Sequence, residues 1–349
     1  MVKDFWNCIS ICLVFLTVTF HNGFGQVEVS KPLRLMFYNV ENLFDIFDDS
    51  LKNDDDFLPH GVLRWNYTRY NHKISSLYKT IVAAGEWSPP EIVAMCEVEN
   101  RNVLVDLLYE TYLSKYSYRI VHEDSPDLRG IDVCLIFRSD VLKLIDSEYW
   151  IPGGIKETDF FTRKVLYAKF LYVNDTIHII VNHWPSRRGG VLPGESLRMK
   201  ISDLVREKSD SISLTNPEGS KIIIVGDFNS TPDDHEIKIL TSDSKFANRL
   251  VNLSENMAEA GIGTYRYQGA WELIDQVIIS KKLLFSTEGI YTETGLFSIF
   301  KPDFLLMKDP KFPGFTPFST YRGYRYQGGF SDHLPVLLKL NFREKDQRE

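Results

Sequence analysis

Six short segments of this 349-residue chain carry side chains suited to one chemistry. An apolar run ends in Asn39, within FYNVENLFD, and a second ends in CEVEN, presenting Glu97. A third ends in VNHWPSRRGG with Asn182 and His183 at its tip, and KIIIVGDFN delivers Asp227 and Asn229. WELIDQVIIS carries Asp275, and FSDHLPVLL carries Asp332 and His333 ahead of a last apolar run. Taken singly, most of these have ordinary readings: a turn asparagine, a solvated carboxylate, a hydrogen-bonded structural histidine. Asp275 is different, because a carboxylate inside an apolar run needs a histidine, an arginine or a metal beside it. Taken together they are amides, carboxylates and two imidazoles at the ends of separate strands. Glu97 and Asp332 offer hard oxygens of the kind Mg²⁺ binds while keeping several waters. Such a set around one ion fits metal-assisted hydrolysis of a phosphate ester.

The elements that must position these residues are strands. Runs at Leu33–Asn39, Ile92–Cys96, Ile131–Phe137, Lys164–Val173, Ile177–Asn182, Lys221–Gly226, Ile274–Ile279 and Leu334–Leu340 are short and β-rich. Several are continuously apolar, which places them centrally in a sheet covered on both faces. Helical spacing appears over Tyr67–Ala84, about Asn102–Lys115, and Glu195–Leu214. Many strands, few helices and no compositional break predict one domain of two packed sheets flanked by helices.

Composition narrows the partners. A 44% hydrophobic, 25% charged chain with a net charge of −7 is globular and does not hold nucleic acid by a broad cationic surface. Lys3, the twelve-residue, mostly apolar core Ile9–Phe20 and the small residues of Gly23-Phe24-Gly25 read as a signal peptide over 1–25, too short to span a bilayer. The expectation is an exported protein, periplasmic or secreted, with a single domain over 26–349 and no membrane span once the signal is removed; an uncleaved anchor is the alternative. Beyond residue 25 the only cysteines are Cys96 and Cys134, in apolar runs that suit buried thiols or one disulfide, with no zinc-thiolate spacing. No Walker-type phosphate loop and no G-x-S-x-G elbow occurs.

Two loops stand out. Glu41–Phe57 is acidic and reads as a solvated loop, with a calcium loop as the weaker reading because EF-hand spacing is missing. Phe300–Phe330 interleaves aromatics with Lys301, Lys308, Lys311, Arg322 and Arg325 and runs straight into Ser331-Asp332-His333. Rings between cations suit stacked bases beside a phosphate backbone, a lipid interface or a sugar, and also simple loop packing.

In order along the chain, Asn39, Glu97, NHW, GDFN, the ID before an apolar strand and SDHLP resemble the endonuclease/exonuclease/phosphatase superfamily, whose members include deoxyribonuclease I. The resemblance runs from about residue 33 to 341. It implies an α/β fold of the α+β kind, a four-layer αββα sandwich of two packed sheets. It implies that Asn39, Glu97 and Asp332 hold Mg²⁺, with Mn²⁺ able to substitute. It further implies that Asp227 activates the attacking water, that Asn229 steadies it, that His183 and His333 face the scissile phosphate, and that Asp275 pairs with His333. The basic tip after His183 departs from the best-known members. Asn182, Arg187 and Arg188 there, with Tyr324 and Arg325 of the aromatic loop, are the candidate substrate contacts. Arg198 and Asp132 are weaker ones. The expected activity is an exported Mg²⁺-dependent phosphodiesterase, a nuclease acting on nucleic acid, with no stable protein partner. A phosphatase or phospholipase C-type enzyme of the same fold is the first alternative, and a non-catalytic binding protein the second.

Overall fold

Apolar residues at alternate positions of neighbouring strands build the frame. The computed structural model describes residues 32–86, 88–152, 162–187, 191–216, 219–242 and 249–344; residues 1–25, expected to be a signal peptide, and Arg188 lie outside them. In chain order the first strands are β1 (Leu33–Leu43), β2 (Ile92–Val98), β3 (Tyr118–His122) and β4 (Asp132–Arg138). Then come β5 (Lys143–Trp150), β6 (Val165–Tyr172), β7 (Asp175–His183), β8 (Ile222–Asp227) and β9 (Leu250–Asn252). A hairpin of β10 (Tyr265–Tyr267) and β11 (Ala270–Glu272) precedes β12 (Asp275–Ser280). Short strands β13 (Gly289–Tyr291), β14 (Phe297–Ile299), β15 (Leu306–Lys308), β16 (Phe315–Pro317), β17 (Tyr321–Arg322) and β18 (Arg325–Tyr326) lead to β19 (Val336–Arg343).

The strands form one sheet of order β13-β19-β1-β2-β4-β3, with β14 also on β19, and a second of order β5-β6-β7-β8-β12-β9. In each, the central pair is parallel (β1 with β2, β7 with β8), and its neighbours run antiparallel. The consequence decides where chemistry can occur. The C-terminal ends of β1, β2, β7 and β8 and the N-terminal ends of β4, β12 and β19 all come to the same edge.

The inner faces pack on each other through Leu35, Phe37, Ala94 and Leu135 from one sheet and Ala168, Ile179, Val225 and Val277 from the other. The outer face of the first sheet, with Met36, Val93 and Met95, is covered by Leu77 and Ile81 of α1 (Tyr67–Ala84) and by Leu104 and Leu107 of α2 (Arg101–Tyr109). The outer face of the second sheet, with Ile180, Ile222 and Ile224, is covered by α3 (Val191–Leu214) and α4 (His235–Thr241) through Ile201, Val205, Ile237 and Leu240. This is the four-layer αββα sandwich. It explains the continuous apolar runs, since both faces of each central strand are buried. Each such side chain contributes about 1.5–3 kcal/mol by leaving water. α1 and α2 begin where Asn66 and Asn100 accept from backbone N–H groups of their first turns.

Three sequence expectations shift. The second helix ends at Tyr109 and a 3₁₀ turn covers Tyr112–Lys115. β5 is an additional edge strand, with the half-exposed alternation of KLIDSEYW. The last strand starts at Val336 because Pro335 cannot join the ladder.

Candidate active site

Asn39, Glu97, His183, Asp227, Asp275 and His333 converge at the shared edge. Register alone brings some of them together: His183 lies opposite Asp227 on the parallel β7–β8 pair, and Asp227 opposite Asp275 on the antiparallel β8–β12 pair. Strict alternation would turn Glu97 away from the face that Cys96 shares with the core. A bulge between Cys96 and Val98, with Glu97 at φ +62°, turns its carboxylate back over the edge. β1 is irregular after Asn39 in the same way, with Glu41 and Asn42 at φ +49° and +55°. Asn229 is also left-handed, at φ +49°. Such non-glycine residues cost of order 1–3 kcal/mol apiece and persist where surrounding structure enforces them.

Asp227 sits at the centre. Its Oδ2 accepts from Asn39 Nδ2 at 3.0 Å, and its Oδ1 from the Asn229 N–H at 2.9 Å. Two imidazoles flank that Oδ2, His183 Nε2 at 3.7 Å and His333 Nε2 at 3.9 Å. His333 Nδ1 lies 2.8 Å from Asp275 Oδ2, and both residues are buried. Thr264 Oγ1 donates to the same carboxylate oxygen, and the Tyr265 ring lies 4.9 Å from the His333 ring. Glu97 Oε1 reaches Asn39 Nδ2 at 3.5 Å and His183 Nε2 at 3.9 Å. Ser331 ties the SDH segment to β1, donating to Asn39 O at 2.7 Å and accepting from the His333 N–H.

The two histidines are held in opposite states. Burial alone would lower the His333 pKa, but Asp275, then Asp227 and Asp332, lift it well above the ordinary value. His183 is held well below it, by burial first and then by Arg163, Arg129 and His333. Burial pushes Asp227 up to about 7, with His333 pulling down and Asp275 pushing up. The Cys96 thiol beneath is pushed well above its usual value by burial, then by Asp227 and Glu97, which leaves it inert as a nucleophile. Cys96 and Cys134 are both free and buried.

The residues fit a hard divalent cation. Glu97 and the partly exposed Asp332 present carboxylate oxygens, while Asn39 turns its Nδ2 to Asp227 and Glu97 and its Oδ1 accepts from the Glu41 N–H. Asp227 and Glu41 are both pushed up to about 7, by burial first and with other carboxylates of the edge among the causes. A bound cation would relieve that repulsion. The tightest groupings of candidate ligand atoms centre on Asp227, however, as Cys96–His183–Asp227 and Asp227–Asp275–His333.

Not every expected contact joins the cluster. Asn182 is fully buried and faces away: its Oδ1 accepts from Trp184 Nε1 at 3.1 Å, because alternation along β7 turns 182 and 183 to opposite faces. That corrects its reading as a substrate contact. Arg187 is committed to Asn229 O at 2.9 Å and to Asp234, so it braces the GDFN turn. Tyr324, 75% exposed, and Arg325 sit on the β17–β18 hairpin. That hairpin lies against the start of α1, with Arg69 over the Tyr326 ring, and it does not meet the cluster. Most loop aromatics are packed, Phe300, Phe304, Phe318 and Phe330 around Leu305 and Leu334. Asp132 binds His122 at 3.1 Å and the Ser125 N–H, and buried Arg198 binds Glu236; neither joins the cluster.

Three contributors escaped the sequence reading. Arg163, buried at the start of β6, lies 3.0 Å from His183 Nε2, donates to Trp184 O, and is fixed by Asp127 at 3.2 Å. Its signal was present in TRKVLYAKF: a cation just before an antiparallel strand beside β7 must fall at the same edge. Glu41 accepts from the Thr320 and Tyr321 N–H groups, and Lys73 of α1 donates to Thr320 Oγ1 and Phe330 O, both at 2.6 Å. This buried pair straps the aromatic loop to β1, with Lys73 lowered to about 8 by burial.

Solved structures share this architecture. D. rerio TDP2 complexed with a single-strand DNA product aligns at TM-score 0.53 and 14% identity, over 89% of this chain and 99% of that one. The human nocturnin catalytic domain with bound sulfate aligns at 0.54 and 17%, over 89% and 95%. A Bacteroides thetaiotaomicron mannosyl-6-phosphatase aligns at 0.56 and 15%, over 89% and 100%. At these identities the likeness is one of fold. No curated protein matches the chain in sequence. Residues 34–342 match the family described as Endonuclease/Exonuclease/phosphatase, and the chain belongs to that family.

Proposed function

We propose that this chain is an exported, Mg²⁺-dependent phosphodiesterase whose first substrate is nucleic acid. The observation that carries the reading is the pair of imidazoles on either side of Asp227, one held protonated by a buried aspartate and the other held neutral. A carboxylate titrating near neutrality takes a proton from water efficiently at working pH. Asp227, fixed by Asn39 and the Asn229 N–H, is the general base for the attacking water. His333, kept charged by Asp275, stabilises the negative charge that grows on the phosphoryl oxygens. His183 flanks the Asp227 carboxylate as a neutral imidazole whose Nε2 accepts from Arg163, so Arg163 is the cation on that side of the site. Asn39, Glu97 and Asp332 would hold Mg²⁺ or Mn²⁺, which supplies charge neutralisation and polarisation of a phosphoryl oxygen.

Nucleic acid is supported by the DNA product bound to D. rerio TDP2 and by exposed rings at Tyr267, Phe312 and Phe315. A monoesterase reading is favoured by the mannosyl-6-phosphatase neighbour and by the distance of Tyr324 and Arg325 from the cluster. Export rests on the 1–25 segment. The deciding experiment compares kcat/KM on single-stranded DNA, a phosphorylated sugar and a phospholipid at fixed Mg²⁺. Preference for DNA supports the first reading; preference for the sugar phosphate transfers the site to the second.

A further inference from the structure

Beneath the hard-oxygen rim lies a second set of ligands of different character. Cys96 is the last inward-facing residue of β2, Asp227 ends β8, and His183 ends β7. One ligand atom from each lies within 4.8 Å of the other two, and all three residues are buried. Tetrahedral zinc with a sulfur at about 2.3 Å and nitrogen or oxygen at about 2.0 Å separates its ligands by about 3.5 Å. The three need to close by roughly 1 Å, within reach of side-chain rotation. His183 Nε2 is the nitrogen on that side, 3.7 Å from Asp227 Oδ2 and 3.0 Å from Arg163, which must give it up to a metal, while the ring's Nδ1 is buried with no hydrogen-bond partner.

We propose that Cys96, His183 and Asp227 form a three-ligand site for a thiophilic divalent cation, Zn²⁺ by preference, that silences the phosphoesterase centre when filled. The thiolate gives the selectivity, since sulfur favours zinc and carboxylate with water favours magnesium. Coordination releases the Cys96 proton to solvent. The single proton of the neutral His183 ring resides on whichever nitrogen is not bound, and Arg163 retains Trp184 O, already 3.3 Å away. A solvent molecule completes the fourth position. Filling the site removes Asp227 and His183 from the roles proposed above, so the inhibition rests on that reading, whereas the binding does not.

Cobalt added to the chelator-stripped, full-length protein reports the site directly. The expected result is one equivalent of tetrahedral Co²⁺ with a thiolate-to-metal charge-transfer band. That band disappears in Cys96→Ala and survives in Cys134→Ala, whose thiol lies on the outer face of the first sheet. Zinc X-ray absorption of the unmodified protein should show one sulfur at about 2.3 Å, so the test stands even if Cys96→Ala folds poorly. Micromolar Zn²⁺ should inhibit Mg²⁺-supported turnover, and Cys96→Ala should weaken that inhibition by at least about 100-fold, the upper end for losing a mere outer partner. Zinc surrounded only by nitrogen and oxygen, or a thiolate band that persists without Cys96, overturns the proposal. If no phosphoester is turned over, the spectra still decide the binding, and the failure then belongs to the function.

Discussion

The buried pair of His333 and Asp275 offers the sharpest perturbation, because one substitution alters charge while keeping shape. In Asp275→Asn the imidazole loses a carboxylate 2.8 Å away and retains burial, the largest influence on it and one that favours the neutral ring. A hydrogen bond to a charged group contributes about 1.5–3 kcal/mol, so turnover should fall by about 10- to 200-fold at neutral pH. The pH profile carries the sign. The charged imidazole is the active form, so lowering its pKa moves the alkaline fall of kcat to lower pH. His333→Ala should cost about 10²–10⁴ in kcat, the range for a positioned acid or charge stabiliser, and the double variant should be scarcely worse. Steady-state kinetics on a small diester from pH 5 to 10, with circular dichroism to confirm folding, is the assay. Independent, multiplying losses from the two substitutions, or an unshifted alkaline limb in Asp275→Asn, would refute the pairing.

Further outcomes follow from other parts of the molecule. Activity should vanish with chelator and return with millimolar Mg²⁺ or Mn²⁺, and Glu97→Gln should raise the metal concentration needed at least about 10-fold, read from a metal titration. Arg163→Met leaves buried Asp127 without its cation, so stability should drop by about 3–5 kcal/mol in urea unfolding, together with slowed turnover. His178, far from the site, is held down at about 4 by burial and by Lys169. Between pH 6.5 and 4 the unfolded chain therefore binds the extra proton, and up to about 3 kcal/mol of stability is lost as pH falls through that window; His178→Gln should flatten the slope. Tyr324→Ala should leave hydrolysis of a small diester unchanged, while each base stack it makes with single-stranded DNA is worth about 1–3 kcal/mol of binding.

The edge where the candidate residues meet was legible because continuous apolar runs mark the central strands and their polar ends mark the rim. What the residues do not announce is direction within that rim. Asn182 and His183 are neighbours of similar polarity, yet the pleat sends one to Trp184 and the other to Asp227. Glu97 reaches the site only through a left-handed residue in a bulge, which a run of apolar letters does not reveal. Arg163 was missed because it precedes its strand, and only the antiparallel pairing of β6 with β7 brings it to His183. β5 and β3, edge strands of the two sheets, were missed because a strand half in water lacks the apolar run that marks the central ones. The aromatic loop allowed a rim for bases, a lipid or sugar surface or simple packing; most of its rings pack on one another, and its placement depends on Glu41 and Lys73, distant in sequence.

The central claim is that Asp227, between two histidines in opposite protonation states, drives metal-dependent cleavage of a phosphoester. It is tested most directly by turnover of bis(p-nitrophenyl) phosphate and single-stranded DNA by purified protein with Mg²⁺, with chelator, and with Asp227→Asn. The account predicts hydrolysis that needs the metal and falls at least about 10²-fold in the variant. Turnover that persists in chelator or survives Asp227→Asn undiminished would contradict it.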